Sequence, residues 1–324
     1  MKVLVTGGNG FIGSRVVRRL SDGGHFVRCL LRKASDTTRI DALPFDRSLG
    51  DIRDPASIAA AMDGMDACIH LASVSSWDQI RSDALESTVI DGTRNVLEAA
   101  GKAGKLRTVY VSSATAVNAS ATPREFDENS PFELNETGLR YAIAKSRAEA
   151  LVRDAVADGL PVVVVNPVET YGPEDIGFIT AGNLRDMIRD WPAIACRGGT
   201  AVAHVDDVAD GIVRALEKGR VGERYILGGD NLSVEDLVRL TLDIAGQKKP
   251  VVRVPNGLLK WGIATLARLK LPTPVIPEVL DYATLYWLMD CSKAKRELGY
   301  SPRPAPDVIR PVVAWLRSAG HVSA

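Results

Sequence analysis

The chain has 324 residues, with 40 Lys and Arg balanced by 40 Asp and Glu, so its formal net charge at pH 7 is zero. Without a basic field to draw a polyanion, nucleic acid is excluded as a partner, and the length suits a large domain carrying a smaller lobe. The four cysteines, Cys29, Cys68, Cys196 and Cys291, are scattered with no histidine at ligand spacing, so they read as reduced thiols and no metal site is expected.

Lys2-Val3-Leu4-Val5 opens the chain as a short buried strand, and TGGNGFIG (6–13) follows it. Its apolar run is too brief for a signal-peptide core, and nowhere does a run approach the ~20 apolar residues of a membrane span. The expectation is therefore a cytoplasmic protein with no stable membrane insertion. SRVVRRL (14–20) has helical periodicity, and FVRCLL (26–31) reads as a second strand. PASIAAAM (55–62), ACIHLA (67–72), the run from Ala84 to Ala103, TVYVSS (108–113) and VVVV (162–165) continue the alternation of helix and strand. Such alternation predicts an α/β fold built on a doubly wound parallel sheet, with the turn after the first strand at the edge where such sheets bind ligands.

Beyond Pro167 the alternation weakens and Pro and Gly recur through 172–199, which predicts a smaller, mixed carboxyl-terminal substrate lobe. HVDDVADGIVRAL (204–216) reads as a loop and helix returning to the core, with Asp206 or Asp207 as helix cap and His204 structural. RYILGG (224–229) reads as a further strand, and Ser233 with Asp236 as a capping pair opening the next helix. Domain boundaries are placed at 1–166, with 204–220 returning, and at 167–203 with 221–324. NGLLKWGIATLARLKL (256–271) reads as a helix packed on the lobe or a lid, with contact to a membrane surface as the sharper alternative, and Leu271 to Pro277 as irregular.

In the glycine stretch, Gly7 permits a tight turn, Gly10 lets backbone approach a pyrophosphate, and Gly13 lets helix pack on strand. Phe11 and Ile12 then stand where a helix N-terminus offers N–H groups to phosphate. The spacing Gly7-x-x-Gly10-x-x-Gly13 resembles the extended branch of the short-chain dehydrogenase/reductase superfamily, whose core is a Rossmann domain. GDIRD (50–54), HLAS (70–73), GTRNVLEAA (92–100), YAIAK (141–145), NPVETYGP (166–173), HVDDVA (204–209) and DCSKAKRELGYSP (290–302) extend the likeness over nearly the whole chain. The resemblance implies Asp51 and Ile52 beside an adenine, Leu71 and Ala72 under the cofactor, and Pro167 beside it. It also implies a homodimer through helices near 84–103 and 139–158.

Tyr141 and Lys145 are spaced to share a helix face. The resemblance makes Tyr141 the proton donor, Lys145 the residue holding the nicotinamide ribose, and Ser113 the hydroxyl on the substrate oxygen. A phenol that titrates near neutrality needs its pKa lowered by ~3 units, or ~4 kcal/mol, and Lys145 with a nicotinamide are the expected sources. Val89 replaces an asparagine of the family's NVxGT pattern, which puts a water-linked proton path in doubt.

Arg32 and Lys33 follow the second strand where NAD-binding relatives place a carboxylate for the ribose diol, so NADP(H) is the expected cofactor, with NAD(H) possible. SSATAVN (112–118) is similar to dihydroflavonol-4-reductase-like members, and the carboxyl half to hopanoid-associated sugar-epimerase-like members. Thr200 stands where nucleotide-sugar members carry an arginine for the diphosphate, and no acid pair follows Ser113 as in dehydratases. The leading expectation is a carbonyl reductase acting on a small molecule, with a sugar or nucleotide-sugar epimerase second and a non-catalytic cofactor sensor third. Trp77, Thr115, Val117, Glu169, Thr170 and Phe178 are the candidate substrate contacts, and as a set they suit an apolar or aromatic carbonyl compound.

Overall fold

A computed structural model describes residues 1–74, 76–273 and 276–323. Its centre is a seven-stranded, all-parallel sheet of β1 (Lys2–Thr6), β2 (Phe26–Leu31), β3 (Asp46–Leu49), β4 (Ala67–His70), β5 (Arg107–Val111), β6 (Val162–Pro167) and β7 (Arg224–Leu227). Their order across the sheet is β7-β6-β5-β4-β1-β2-β3. The strand order therefore reverses between β1 and β4, where the crevice of a doubly wound sheet opens.

Alternation along each strand divides the core. Val3 and Val5 of β1 face one side with α1 (Phe11–Asp22) and α5 (Val205–Lys218), packing against Val16, Val17, Leu20, Val208 and Ile212. Leu4 faces the other side with α2 (Pro55–Met62), α3 (Gly92–Lys102) and α4 (Arg140–Ala157), among Ile58, Val96, Ala148 and Val152. Strands buried on both faces have to be apolar throughout, which is why these runs were legible.

The lobe is a mixed sheet in which Gly199–His204 runs antiparallel to Asp230–Ser233 and parallel to both Tyr286–Met289 and Glu169–Tyr171. Two elements depart from the expected boundaries. Arg224–Leu227 is not in the lobe but pairs with Val164–Pro167 as β7, where its burial and the return of α5 complete the sheet edge. Glu125–Phe126, expected within the dinucleotide domain, pairs with Leu288 and Met289 of the lobe. The edge strand β3, DRSL, is polar at three of its four residues and was not expected as a strand.

Asn256–Arg268 is a helix whose Ile263 turns inward while Leu258 and Trp261 are 58% and 67% exposed. Of the irregular stretch expected at Leu271 to Pro277, Pro274 and Val275 lie outside the described residues. Among the described residues no helix is long and apolar enough to cross a membrane, and no group of His, Cys, Asp and Glu could hold a metal ion.

Candidate active site

The glycine turn closes at the carboxyl end of β1. Gly7 has φ +72°, and its carbonyl accepts a 3.0 Å hydrogen bond from the Gly10 N–H. A Cβ on Gly7 would meet the Ala72 nitrogen at 2.8 Å, so the loop after β4 lies directly against the turn. Thr6 fastens that loop, its carbonyl accepting from Leu71 N–H at 3.1 Å and its hydroxyl from Ala72 N–H at 3.2 Å. Gly10 caps α1 with no side chain, and the first intrahelical bond is Ser14 N–H to Gly10 C=O. The N–H groups of Phe11, Ile12 and Gly13 are thus the helix's open donors for an anion.

The far end of the crevice is charged. Arg32 and Lys33 are exposed where β2 ends, and among the described residues neither makes an ion pair. Asp51 is held bidentately by Arg53 at 2.7 and 3.0 Å, and this bond keeps its carboxyl below the usual range, with Arg32 adding to the effect. Ile52 is buried where a Cβ on Gly92 would strike it, and its carbonyl accepts from Asn95 at 3.0 Å. Pro167 is buried at the end of β6.

Across the crevice, Tyr141 and Lys145 lie on the first turns of α4. Lys145 is 2% exposed; its Nζ donates to the Val111 carbonyl at 3.2 Å and sits 5.4 Å from the Tyr110 ring centre and 5.9 Å from that of Tyr141. Burial pulls its pKa down to about 8 against the attraction of Glu149. Ser113 leaves β5 as the cap of a short turn, and its Oγ accepts from Thr115 N–H at 3.2 Å and from the Thr115 hydroxyl at 2.9 Å. The Ser113 O–H therefore remains available as a donor. Ser73 and Ser113 both act on the Tyr141 phenol, but burial outweighs them and pushes its pKa up to about 12. The expected lowering is absent from the protein alone, because burial of the phenol itself outweighs the hydrogen bonds it receives. Among the described residues, Ser73 Oγ is itself buried with no partner at hydrogen-bond distance.

Behind the site, His70 bridges Thr6 at 2.7 Å and Thr93 at 3.2 Å, and burial with the nearby Lys145 charge lowers its pKa to about 3, so it is neutral. Val89 is buried in a π-helical turn, Ser87–Asp91, and contributes its carbonyl to the Thr93 hydroxyl rather than an amide to the site.

The candidate substrate residues divide. Trp77 meets Tyr282 edge-on with ring centres 5.4 Å apart, and Tyr282 stacks on Trp287 at 5.7 Å. The Tyr282 hydroxyl is buried facing the backbone of Tyr141 and Ala142, which brings this aromatic row to the amino-terminal end of α4. Thr115 is bound to Ser113. Val117 is wholly buried in the core, and Thr170 turns its hydroxyl to the Val168 carbonyl, so neither presents a free wall. Glu169 accepts from Tyr171 and Asn183, and Phe178 packs with Trp315 and His321 in a separate lobe cluster. Glu169–Tyr171 itself joins the lobe sheet, pairing with Val202–His204.

The family model of the NAD dependent epimerase/dehydratase family matches residues 3–228. The chain belongs to that family. Within it, the chain is 32% identical to a Synechocystis protein named as a candidate dihydroflavonol 4-reductase, over 98% of this chain and 95% of that one. It is 30% identical to Sterol demethylase protein B of Methylococcus capsulatus, over 99% and 100%. Among solved structures, a nucleoside-diphosphate-sugar epimerase of Pseudomonas aeruginosa superposes with TM-score 0.82 at 26% identity over 100% and 99% of the two chains. The dTDP-glucose 4,6-dehydratase DesIV of Streptomyces venezuelae, solved with NAD, does so with TM-score 0.77 at 28% identity over 98% and 97%.

Membership makes the protein an NAD(P)-dependent enzyme of the extended short-chain dehydrogenase/reductase type. The cradle fits a nicotinamide cofactor: Gly7 and Gly13 have no room for a side chain, and the α1 N-terminus has no cap of its own. Ser73, Glu149, Tyr282 and Trp287 were not anticipated. Glu149 did carry a signal, since it follows Lys145 at helical spacing on the Tyr141 face. Tyr282 and Trp287 carried none, lying far along the chain in a segment without a motif.

Proposed function

We propose that the protein reduces a ketone or aldehyde of a small, apolar or aromatic molecule, using NADP(H) in preference to NAD(H). The observation that carries this reading is the meeting of Tyr141, Ser113 and Lys145, with Tyr282 of the aromatic row Trp77, Tyr282 and Trp287 turned to the backbone of Tyr141. The phenol, with a pKa of about 12, is protonated at neutral pH, the state in which a proton donor to a carbonyl oxygen begins. Ser113 O–H, its lone pairs committed to Thr115, donates to the same oxygen and stabilises charge developing there. Below pH 8 Lys145 holds its charge, which favours the phenolate left after proton transfer and suits it to grip ribose hydroxyls. The cofactor, when bound along the glycine turn, supplies the hydride. Arg32 and Lys33, unpaired at the end of β2, favour a 2′-phosphate over a bare diol.

An epimerase remains the second reading, favoured by the likeness to the Pseudomonas aeruginosa structure. Against it, Thr200 lies in the strand Gly199–His204 with its hydroxyl turned to the Ala201 carbonyl, and offers no cation for a diphosphate. The partner in solution is proposed to be a second copy, through α3 and α4, whose outer groove is lined by Ile90, Arg94, Arg147 and Leu151. The proposed location is the cytoplasm.

The test is a panel of aromatic and polycyclic carbonyl compounds, followed by NADPH absorbance, beside calorimetry with UDP- and GDP-sugars in the presence of cofactor. Turnover of a carbonyl compound supports the reductase. Micromolar sugar-nucleotide binding with no carbonyl reduced would replace it with the epimerase.

A further inference from the structure

We propose that Glu149 is a positioning residue whose buried carboxylate keeps Lys145 charged within the site. The two side chains are one helical turn apart on α4, and both are buried, at 3% and 2% exposure. An ammonium in such a place is destabilised unless a counter-charge faces it. From β4 Lys145 faces His70, from β5 the Tyr110 ring, and on its own helix Tyr141 and Glu149. His70 and both tyrosines are neutral at pH 7, so among these groups the negative charge is Glu149's.

Three donors fix that carboxylate. Ser112 Oγ and Asn166 Nδ2 donate to Oε1 at 2.5 and 2.7 Å, and Arg224 Nη1 donates to Oε2 at 3.2 Å. Asn166 Nδ2 also reaches the Ser113 carbonyl at 2.9 Å, so the group that positions Glu149 also holds the backbone of Ser113. Arg224 in turn donates to the Glu128 carbonyl at 2.5 Å, anchoring the carboxylate to the loop that follows Glu125–Phe126. Glu149 thus serves two cations, and Lys145 depends on its charge, whereas Ser112 and Asn166 need only an acceptor there.

This inference rests on Lys145 belonging to the proposed site, but its test needs neither substrate nor turnover. The titration of Lys145 in the cofactor-free protein, labelled with 13Cε-lysine and assigned by the signal lost in Lys145→Met, is read by NMR. The wild-type midpoint is expected at about 8. Glu149→Gln keeps an acceptor and removes the charge, and is expected to lower that midpoint by roughly one pH unit or more, the scale of one lost counter-charge. Ser112→Ala removes a hydrogen bond and no charge, and should leave it in place. An unchanged midpoint in Glu149→Gln, or an equal fall in Ser112→Ala, would overturn the proposal. If Glu149→Gln does not fold, Glu149→Asp decides: the retained anion should hold the midpoint within about half a unit of wild type, and a fall of about a full unit would overturn it.

Discussion

A methyl group on Gly13 would stand 2.0 Å from the carbonyl oxygen of Gly7. Neither end can yield easily, because Gly7 is pressed against the backbone of Ala72 and Gly13 lies in the first turn of α1. Gly13→Ala must push the helix off the turn, and overpacking of this kind costs about 1–3 kcal/mol. The expected outcome is a fall in thermal stability and a loss of roughly tenfold or more in affinity for NADPH and NADH alike, measured by fluorescence titration. Undiminished affinity would mean that the turn is not the phosphate cradle.

Arg32→Asp should act on the ratio of the two cofactors rather than on both. A charge-assisted bond to a 2′-phosphate contributes about 1.5–3 kcal/mol, so wild type should favour NADPH by roughly 10- to 100-fold. The variant removes the cation and supplies a diol acceptor, reversing the order. Dissociation constants for both cofactors, in both proteins, decide the matter, and an unchanged ratio would place Arg32 in solvent.

Lys145 also predicts a pH dependence of stability. Its pKa falls from 10.5 to about 8 on folding, so between those values the unfolded chain binds the extra proton. Stability from this group therefore rises as pH increases through that window, and the full cost of burying the charge is present below it. Urea denaturation from pH 7 to 10.5 should show Lys145→Met gaining most over wild type at the acid end, with the gap closing as pH rises. A constant gap would contradict the sign.

The aromatic row should govern substrate affinity. Trp77→Ala removes the ring at the outer end of the row, and an apolar wall lost from a substrate site should raise KM for an aromatic carbonyl compound several-fold while cofactor affinity holds. A change in cofactor affinity instead would place Trp77 outside the substrate wall.

Much of this was legible because local rules and global fold agree in the first half of the chain. Strands buried on both faces must read as apolar runs, and the turn at Gly7, Gly10 and Gly13 can be built by few other residues. β3 escaped because its half-buried face is made by Asp46 and Ser48 and its one apolar residue, Leu49, is exposed, and Arg224–Leu227 was recognised as a strand but assigned to the lobe. The aromatic row was the least legible part. Trp77 meets Tyr282 only through tertiary packing, and nothing in either segment announces the other. Phe178 and Val117 illustrate the converse: apolar residues near a motif were taken by the lobe cluster and the core.

The central claim is that Tyr141 delivers the proton to the carbonyl oxygen. Its most direct measurement is turnover by Tyr141→Phe of a carbonyl compound that the wild type reduces, with NADPH affinity measured on the same preparation. Turnover should be lost and affinity nearly unchanged, while Ser113→Ala, which removes one hydrogen bond to the oxygen, loses roughly 10²-fold. Wild-type turnover by Tyr141→Phe would contradict it.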